Sequence, residues 1–582
     1  MFLAHSLISF LFLCLGTIAS CGEYSMPTSS SGLKYGANST SKPNFVFIMT
    51  DDQDQLLDST DYMPFVQKHL GEQGTFYQRH YCTIAVCCPS RVSLLTGKAA
   101  HNTNVTDVAP PYGGYPKFIS QGLNDNYLPV WLQEAGYNTY YTGKLMNAHS
   151  TANWNNPFPK GWNGTDFLID PGTYLYWNAT FQRNTSPPSS FPNDYNTDLI
   201  NDKALAFLED AVTAADSKPF FVGIAPIAPH SVTRGDLAFT PPEPAPRHMD
   251  LFPGLKTPRT ANFNPEEPSG AGWIYNLERL NDTVVEHGDL WYRTRIQSLQ
   301  SVDELVDNVV NYLSEKGLLD NTYIIYTSDN GFHINQHRLQ PGKLCAFEED
   351  INVPFYIRGP GVEAGKVVDL VTTHTDIAPT LFDLAGIELR DDFDGKPMPI
   401  TKSQINQAEE IHKSRSEHVN VEFWGIGLGE GKYPGTVSNN TYKALRIIGE
   451  GYNIMYSVWC NNEHELYDMI TDPGQLKNLA RSSETETQIF GRSIPEVQSR
   501  LDALLLVLKT CKASTCTDPW SVLHPQRDIT NLEQALDQTY DAFYEAQPKV
   551  SFSKCELGQI LSSEGPLVGN MYEGGSMWPN WV

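Results

Sequence analysis

The sequence predicts an α/β sandwich built on a mostly parallel central sheet, followed by a smaller C-terminal α+β subdomain. Three observations predict it. Near-continuous apolar runs recur at Asn44 to Thr50, Tyr137 to Thr142, Pro219 to Ala225, Tyr323 to Thr327 and Pro354 to Arg358. A strand without polar alternation is buried on both faces, as in a sheet covered by helices on each side. Helical patterns lie between the runs. Leu199, Ala204, Phe207, Leu208 and Val212 share one face, as do Leu299, Val302, Leu305, Val306, Val309 and Leu313 before a stop at Gly317. Near residue 400 the pattern shifts to short strands, such as Tyr452 to Val458, and a helix over Ile494 to Lys509.

Taken in order, residues 1–20 read as a secretory signal peptide. Leu7 to Leu15 is an apolar run of h-region length, and the small residues Thr17, Ala19 and Ser20 follow it. That run is too short to anchor the chain across a bilayer, and no later stretch approaches transmembrane length. Residues 21–42 are rich in Ser, Gly and Thr and form a flexible leader. The main α/β domain spans 43–400. Within it, residues 232–288, with Pro241, Pro242, Pro244 and Pro246, lose periodicity and read as a long surface excursion, a wall or lid for the site. Residues 401–582 form the C-terminal subdomain and a Gly- and aromatic-rich tail.

Glycosylation triplets at Asn38, Asn104, Asn163, Asn178, Asn184, Asn281 and Asn439 agree with a secreted, extracellular or cell-wall protein. Of 10 cysteines, Cys14 leaves with the signal. In an oxidising compartment most of the others should pair, and Cys511 and Cys516 are close enough to close a small loop. The net charge of -26 repels nucleic acid and anionic membrane and excludes both as partners.

In open α/β sheets, active sites gather where strands end. Asp51 and Asp52 terminate the first apolar run, and Asp329-Asn330-Gly331 follows the run at Tyr323 to Thr327. Alone, the first reads as a helix cap or surface turn and the second as a hairpin turn. Together they offer carboxylates and an amide oxygen, a hard donor set suited to calcium and less well to magnesium. The segment Cys87-Cys88-Pro89-Ser90-Arg91-Val92-Ser93-Leu94-Leu95-Thr96-Gly97 places Pro89 where a helix begins, so Cys87 lies at a helix N-terminus that favours an anion. Arg91, one turn on, presents a planar fork suited to an oxyanion. On physics alone, a cysteine at a helix start is more often structural.

The same segment resembles the sulfatase pattern Cys-any-Pro-Ser-Arg, three residues, one apolar residue and Thr-Gly, at every fixed position. The resemblance implies an alkaline phosphatase-like sandwich in which a separate formylglycine-generating enzyme oxidises Cys87, not Cys88. It implies metal ligation by Asp51, Asp52, Asp329, Asn330 and residue 87. Lys144, in Thr142-Gly143-Lys144, resembles the Gly-Lys that contacts sulfate. Lys343 stands where a second sulfate-binding lysine is expected, and His230, in Ala228-Pro229-His230, resembles the histidine that protonates the leaving group. Glu465-Leu466-Tyr467-Asp468, Asp472-Pro473 and Asn478-Leu479 extend the resemblance over residues 43 to 480. Thr50 to Asp54 and the double cysteine are most similar to fungal arylsulfatases and N-acetylglucosamine-6-sulfatases. With residue 87 converted, eight mature cysteines remain if Cys21 is kept, an even number for pairing.

The chemistry implied is hydrolysis of a small sulfate ester, an aryl sulfate first. One hydroxyl of the hydrated formylglycine, acidified by calcium and Arg91, attacks sulfur while Lys144, Lys343 and the metal neutralise the sulfuryl oxygens. His230 protonates the departing oxygen. The second hydroxyl then loses its proton and the C–O bond breaks, releasing sulfate and restoring the aldehyde. The acidic surface weighs mildly against a large sulfated polyanion. The alternatives are an N-acetylglucosamine-6-sulfatase-type exo-sulfatase, a phosphate mono- or diesterase on the same scaffold, and a non-catalytic carbohydrate-binding relative. One departure stands out: many relatives carry a histidine two residues after the Gly-Lys lysine, and here Leu145, Met146 and Asn147 follow. His149, His101 and His333 are candidates for that role, and none of them is assigned it.

Overall fold

The computed structural model describes residues 42–234, 238–410, 417–481, 488–570, 572–573 and 576–577. The signal peptide, the leader up to residue 41, Cys21 and the Asn38 triplet lie outside the described residues, as does most of the end of the tail.

The central sheet has ten strands. In chain order they are β1 (Asn44–Thr50), β2 (Thr75–Tyr77), β3 (Asn138–Lys144), β4 (Gly164–Leu168), β5 (Trp177–Arg183), β6 (Ser189–Tyr195), β7 (Phe220–Ala225), β8 (Thr322–Ser328), β9 (Phe355–Arg358) and β10 (Lys366–Val368). In space they run β10-β2-β9-β8-β1-β7-β3-β4-β5-β6. The middle of the sheet, β8-β1-β7-β3-β4, is parallel throughout, and β9, β5 and β6 flank it antiparallel. The apolar run at 354–358 is thus an antiparallel flank strand.

The side chains of β1 alternate between two cores. Val46 and Ile48 enter one with Phe207, Leu208, Leu299 and Val302. Phe45, Phe47 and Met49 enter the other with Val92, Leu95, Leu381 and Phe382. The helices supplying these partners are α1 (Cys87–Thr96), α2 (Asn196–Thr213), α3 (Asp282–Glu315) and α4 (Ile377–Ala385). Each such side chain removed from water contributes roughly 1.5–3 kcal/mol, which is why the strands carry no polar alternation. Two helical expectations need correction. Val212, placed on the buried face of α2, is exposed, because that face runs through Ala204, Phe207, Leu208 and Ala211. Helix α3 starts at Asp282, capped by Asn281, whose side chain accepts from the Val284 N–H, so the excursion ends before residue 288.

Beyond residue 400, β11 (His418–Phe423), β12 (Tyr442–Gly449), β13 (Tyr452–Trp459) and β14 (His464–Asp468) form an antiparallel meander. One face packs on α5 (Ile494–Leu508), whose N-terminus carries a capping box between Ser493 and Glu496. The other face, including Ala444 and Met455, joins Tyr81 and Ile351 in a shared core. The expected small loop closed by Cys511 and Cys516 is present, but among the described residues pairing is less general than expected. Cys460–Cys555 and Cys511–Cys516 are bonded, whereas Cys82, Cys88 and Cys345 are free and buried along with Cys87. Cys88 sits among apolar side chains, and Cys82 and Cys345 in another such core, so they act as small hydrophobic fillers.

Candidate active site

Strand register assembles the site. Thr50 pairs with Ser328 across β1 and β8, so Asp51-Asp52 and Asp329-Asn330 leave the sheet side by side. Gly143 pairs with Ala225, so Lys144 ends β3 beside the turn that carries His230. Helix α1 points its N-terminus at these strand ends. Its N-cap is the extended residue Val86, which provides no side-chain cap, and its C-terminus closes on Gly97 in the left-handed conformation.

The predicted residues converge. The Cys87 thiol lies 3.3 Å from Asp51 Oδ1, 3.7 Å from Asp52 Oδ1 and 3.0 Å from Lys343 Nζ. Lys144 Nζ donates to Asp51 Oδ2 at 2.6 Å, and Lys343 Nζ also pairs with Asp52. Arg91 Nε donates to Asp329 Oδ2 at 2.8 Å, its Nη1 to the Lys144 carbonyl, and its Nη2 lies 3.6 Å from Asp51. The Asp52 N–H donates to Asp329 Oδ1 at 3.0 Å. His230 Nε2 faces Asp52 Oδ2 at 3.5 Å. Its Nδ1 sits 2.7 Å from the Ser231 carbonyl oxygen, so Nδ1 carries a hydrogen and Nε2 is the atom turned to the site. All of these side chains are buried.

The donor set fits a hard cation. Asp52 Oδ2 and Asn330 Oδ1 are buried without a hydrogen-bond partner, because the Asn330 amide nitrogen is committed to Asp52 Oδ1 and the Gly331 carbonyl. Unsatisfied buried acceptors beside further carboxylates match the all-oxygen coordination of calcium. Asp51, Asp52, Cys87 and His230 also place ligand atoms within 4.8 Å of one another. Asp52 adopts a left-handed backbone (φ 67°), the strain expected where side-chain direction matters more than comfort.

Charge balance shapes ionisation. Burial works to raise the Asp51 carboxyl, but Lys144, His230 and Arg91 outweigh it and hold it below the usual carboxylate range. Burial is likewise overcome at Asp52, chiefly by Lys343. Burial, then the charge of Asp51, push the Cys87 thiol well up, so as a cysteine it stays protonated and a poor nucleophile. Burial would lower Lys144 and Lys343, but Asp51 and Asp52 respectively keep both firmly cationic.

The three candidate histidines stand elsewhere. His101 bonds Glu422 at 3.0 Å and the Cys511 carbonyl at 2.8 Å. His149 packs on Tyr115 and Phe167, and burial lowers it to about 4. His333 bonds Asp350 at 2.8 Å. None of the three hydrogen-bonds Cys87. Position 146, two residues after Lys144, holds a methionine buried in the core with Val92 and Leu95 of α1.

Sequence reasoning missed four contributors. Arg295 of α3 donates to the Asp52 carbonyl at 2.5 Å, to Asp54 Oδ1 at 2.9 Å and to the Pro229 carbonyl at 3.3 Å. Its signal was an arginine in line with Leu299 and Val302 on an otherwise apolar face. Ser90 Oγ donates to the Asp329 carbonyl at 2.5 Å. Glu430 accepts from Ser231 Oγ at 2.7 Å, and Tyr174 stacks on His230 with centroids 4.4 Å apart. Neither Glu430 nor Tyr174 has a local sequence signal.

Comparison with known proteins agrees with this geometry. The family model described as Sulfatase matches residues 43–387, and that of N-sulphoglucosamine sulphohydrolase, C-terminal, matches residues 337–498. An arylsulfatase of Volvox carteri is 40% identical over 545 residues, covering 88% of this chain and 82% of that protein. An N-acetylglucosamine-6-sulfatase of Capra hircus is 31% identical over 517 residues, covering 84% and 87%. A solved structure holding its substrate D-glucosamine-2-N,6-O-disulfate superposes with a TM-score of 0.59 at 22% identity, over 76% of this chain and 94% of that one, a likeness of fold. The chain belongs to the sulfatase family. It is an enzyme that hydrolyses sulfate esters.

Proposed function

We propose that the enzyme is a secreted arylsulfatase, converting an aryl sulfate to a phenol and inorganic sulfate at residue 87, matured from Cys87 to formylglycine, beside a bound calcium ion. The observation that carries this reading is the convergence of Asp51, Asp52, Cys87, Arg91, Lys144, His230, Asp329, Asn330 and Lys343 at one buried point above the parallel strands. Arylsulfatases of Volvox carteri and Chlamydomonas reinhardtii, at 40% and 37% identity, support the aryl preference.

Asp51, Asp52, Asp329, Asn330 and residue 87 would hold the calcium. Formylglycine supplies a hydrated aldehyde as nucleophile, and calcium a fixed positive charge beside it. The chain's own residues do the rest. Lys144 and Lys343 neutralise the sulfuryl oxygens. Three carboxylates, Asp51, Asp52 and Asp329, face three cations, Arg91, Lys144 and Lys343, so a divalent ion leaves the site net positive for an anionic ester. Arg91 fixes Asp329 and the Lys144 backbone. His230 Nε2 delivers a proton to the leaving oxygen while Ser231 holds Nδ1. Burial of the whole set keeps bulk water from screening these charges.

The secretory route is supported by exposed triplet asparagines at Asn163, Asn178, Asn184, Asn281 and Asn439. Among the described residues no helix is long and apolar enough to cross a membrane. The test is mass spectrometry of the peptide carrying residue 87, with paired assays on aryl sulfate and aryl phosphate. Formylglycine and a preference for sulfate are expected. Unmodified cysteine in active enzyme, or wild-type turnover by Cys87→Ala, refutes the reading.

A further inference from the structure

We propose that Tyr174 is a positioning residue that holds the leaving-group histidine and the sulfate-binding lysine in fixed relation. The inference rests on the reading of His230 as the acid that protonates the departing oxygen.

Tyr174 lies in the connection between β4 and β5, where no apolar period or motif marks it. Its ring lies nearly parallel to the His230 imidazole, with centroids 4.4 Å apart and planes at 28°. Lys144 Nζ stands 4.7 Å from the centroid of the same ring. One aromatic ring therefore touches both groups that would act on opposite ends of the bond to be broken. A stacked ring restricts rotation of its partner out of plane, and a cation over its face is held against the π-electrons.

The ring is itself anchored. Asn147 Nδ2 donates to the Tyr174 hydroxyl at 2.6 Å. Asn147 is three residues beyond Lys144, so the loop that leaves β3 fixes both the lysine and the tyrosine. Two residues after Tyr174, the Tyr176 hydroxyl donates to the His230 carbonyl at 2.8 Å. Tyr174 and Tyr176 thus grip His230 by ring and by backbone, while Ser231 fixes Nδ1. These restraints leave Nε2 a single direction, toward the site. Tyr174 also keeps partial exposure, whereas the residues it serves are buried. Burial and the neighbouring charges keep its phenol neutral.

The test uses the mature metal-loaded enzyme and a series of aryl sulfates, from nitrophenyl sulfate, whose phenolate leaves unaided, to unsubstituted phenyl sulfate, whose oxygen needs a proton. Tyr174→Leu should lose about tenfold more kcat on phenyl sulfate than on nitrophenyl sulfate, with a smaller change in KM. Tyr174→Phe, which keeps the ring but loses the hydroxyl that Asn147 holds, should show a leaving-group dependence well below that of Tyr174→Leu and close to that of Asn147→Ala. Asn147→Ala, which spares the ring but frees it, should show the Tyr174→Leu pattern at smaller amplitude and serves if Tyr174→Leu does not fold. His230→Ala is the control and should show the steepest dependence on the leaving group. If His230→Ala is equally impaired on all esters, the acid assignment fails and the inference with it. If His230→Ala is steep but Tyr174→Leu and Asn147→Ala are uniformly impaired, Tyr174 is only scaffold and the inference alone is overturned. A Tyr174→Phe enzyme as leaving-group-sensitive as Tyr174→Leu also overturns it, because the ring would then not be the operative part.

Discussion

Arg295→Met should destabilise the folded enzyme by about 3–5 kcal/mol, the range for stripping one partner from a buried ion pair. The figure follows from what the guanidinium holds. Its Nη2 binds Asp54 Oδ1 at 2.9 Å, and the other carboxylate oxygen, Oδ2, has no hydrogen-bond partner at all. Removing the arginine leaves Asp54 buried with its charge uncompensated. The same nitrogen donates to the Asp52 carbonyl, where the backbone is held left-handed, a conformation costing a non-glycine residue about 1–3 kcal/mol. Methionine matches the arginine stem in length, so a cavity is not the main term. The assay is urea denaturation of the parent, Arg295→Met, Asp54→Asn and the double variant. The cycle should return a coupling of at least about 1.5 kcal/mol, because neutralising Asp54 removes the charge the arginine compensates. Turnover should also fall about 100-fold, through displacement of Asp52. A loss below about 1 kcal/mol, or strict additivity in the cycle, refutes the reasoning.

Three further outcomes are expected. Asn330→Ala removes an unpartnered buried oxygen and should weaken calcium binding about tenfold by equilibrium dialysis and metal analysis, with unchanged affinity counting against the assigned ligand set. Burial raises Glu417 from 4.5 to about 7 despite hydrogen bonds from Tyr452 and Trp520. Across that window the folded state keeps a proton that the unfolded state has released, so its contribution to stability declines as pH rises from 4.5 to about 7, and Glu417→Gln should flatten that slope in pH-dependent denaturation. The Cys460–Cys555 bridge spans 95 residues and Cys511–Cys516 spans 5. Loop entropy then assigns about 5 and about 2 kcal/mol to them, so removing the first should lower the denaturation midpoint more, and the reverse order would contradict the entropic account.

What the sequence disclosed and what it concealed divide along physical lines. Asp51, Asp52 and Asp329 were legible because together they close two apolar runs that parallel pairing converts into neighbours, whereas Lys144 was legible only through the resemblance. Cys87 and Arg91 were legible through the resemblance of their segment to the sulfatase pattern, since their place at a helix start alone favoured a structural cysteine. Tyr174 and Glu430 come from irregular connections whose side chains obey no period, and they reach His230 only through tertiary packing. Arg295 could have been found, since a charge on an apolar helical face requires a buried partner. The cysteines misled because compartment chemistry predicts pairing in general, while geometry decides it pair by pair. Cys88, locked in α1 among apolar side chains, is left unpaired.

The burial of Cys87 has a consequence for timing. Its side chain is 1% exposed and belongs to the first turn of a helix buried along its whole length. The proposed oxidation of its thiol by a separate enzyme requires access to that side chain, and the folded chain leaves it buried. On the proposal that Cys87 is converted to formylglycine, its burial would place that conversion before collapse of the sheet, in the interval between synthesis and folding. A molecule that folds with an intact thiol has missed that interval and stays inert unless it unfolds. The specific activity of a preparation would then record a race between modification and folding, and slowing the folding of the chain would raise it.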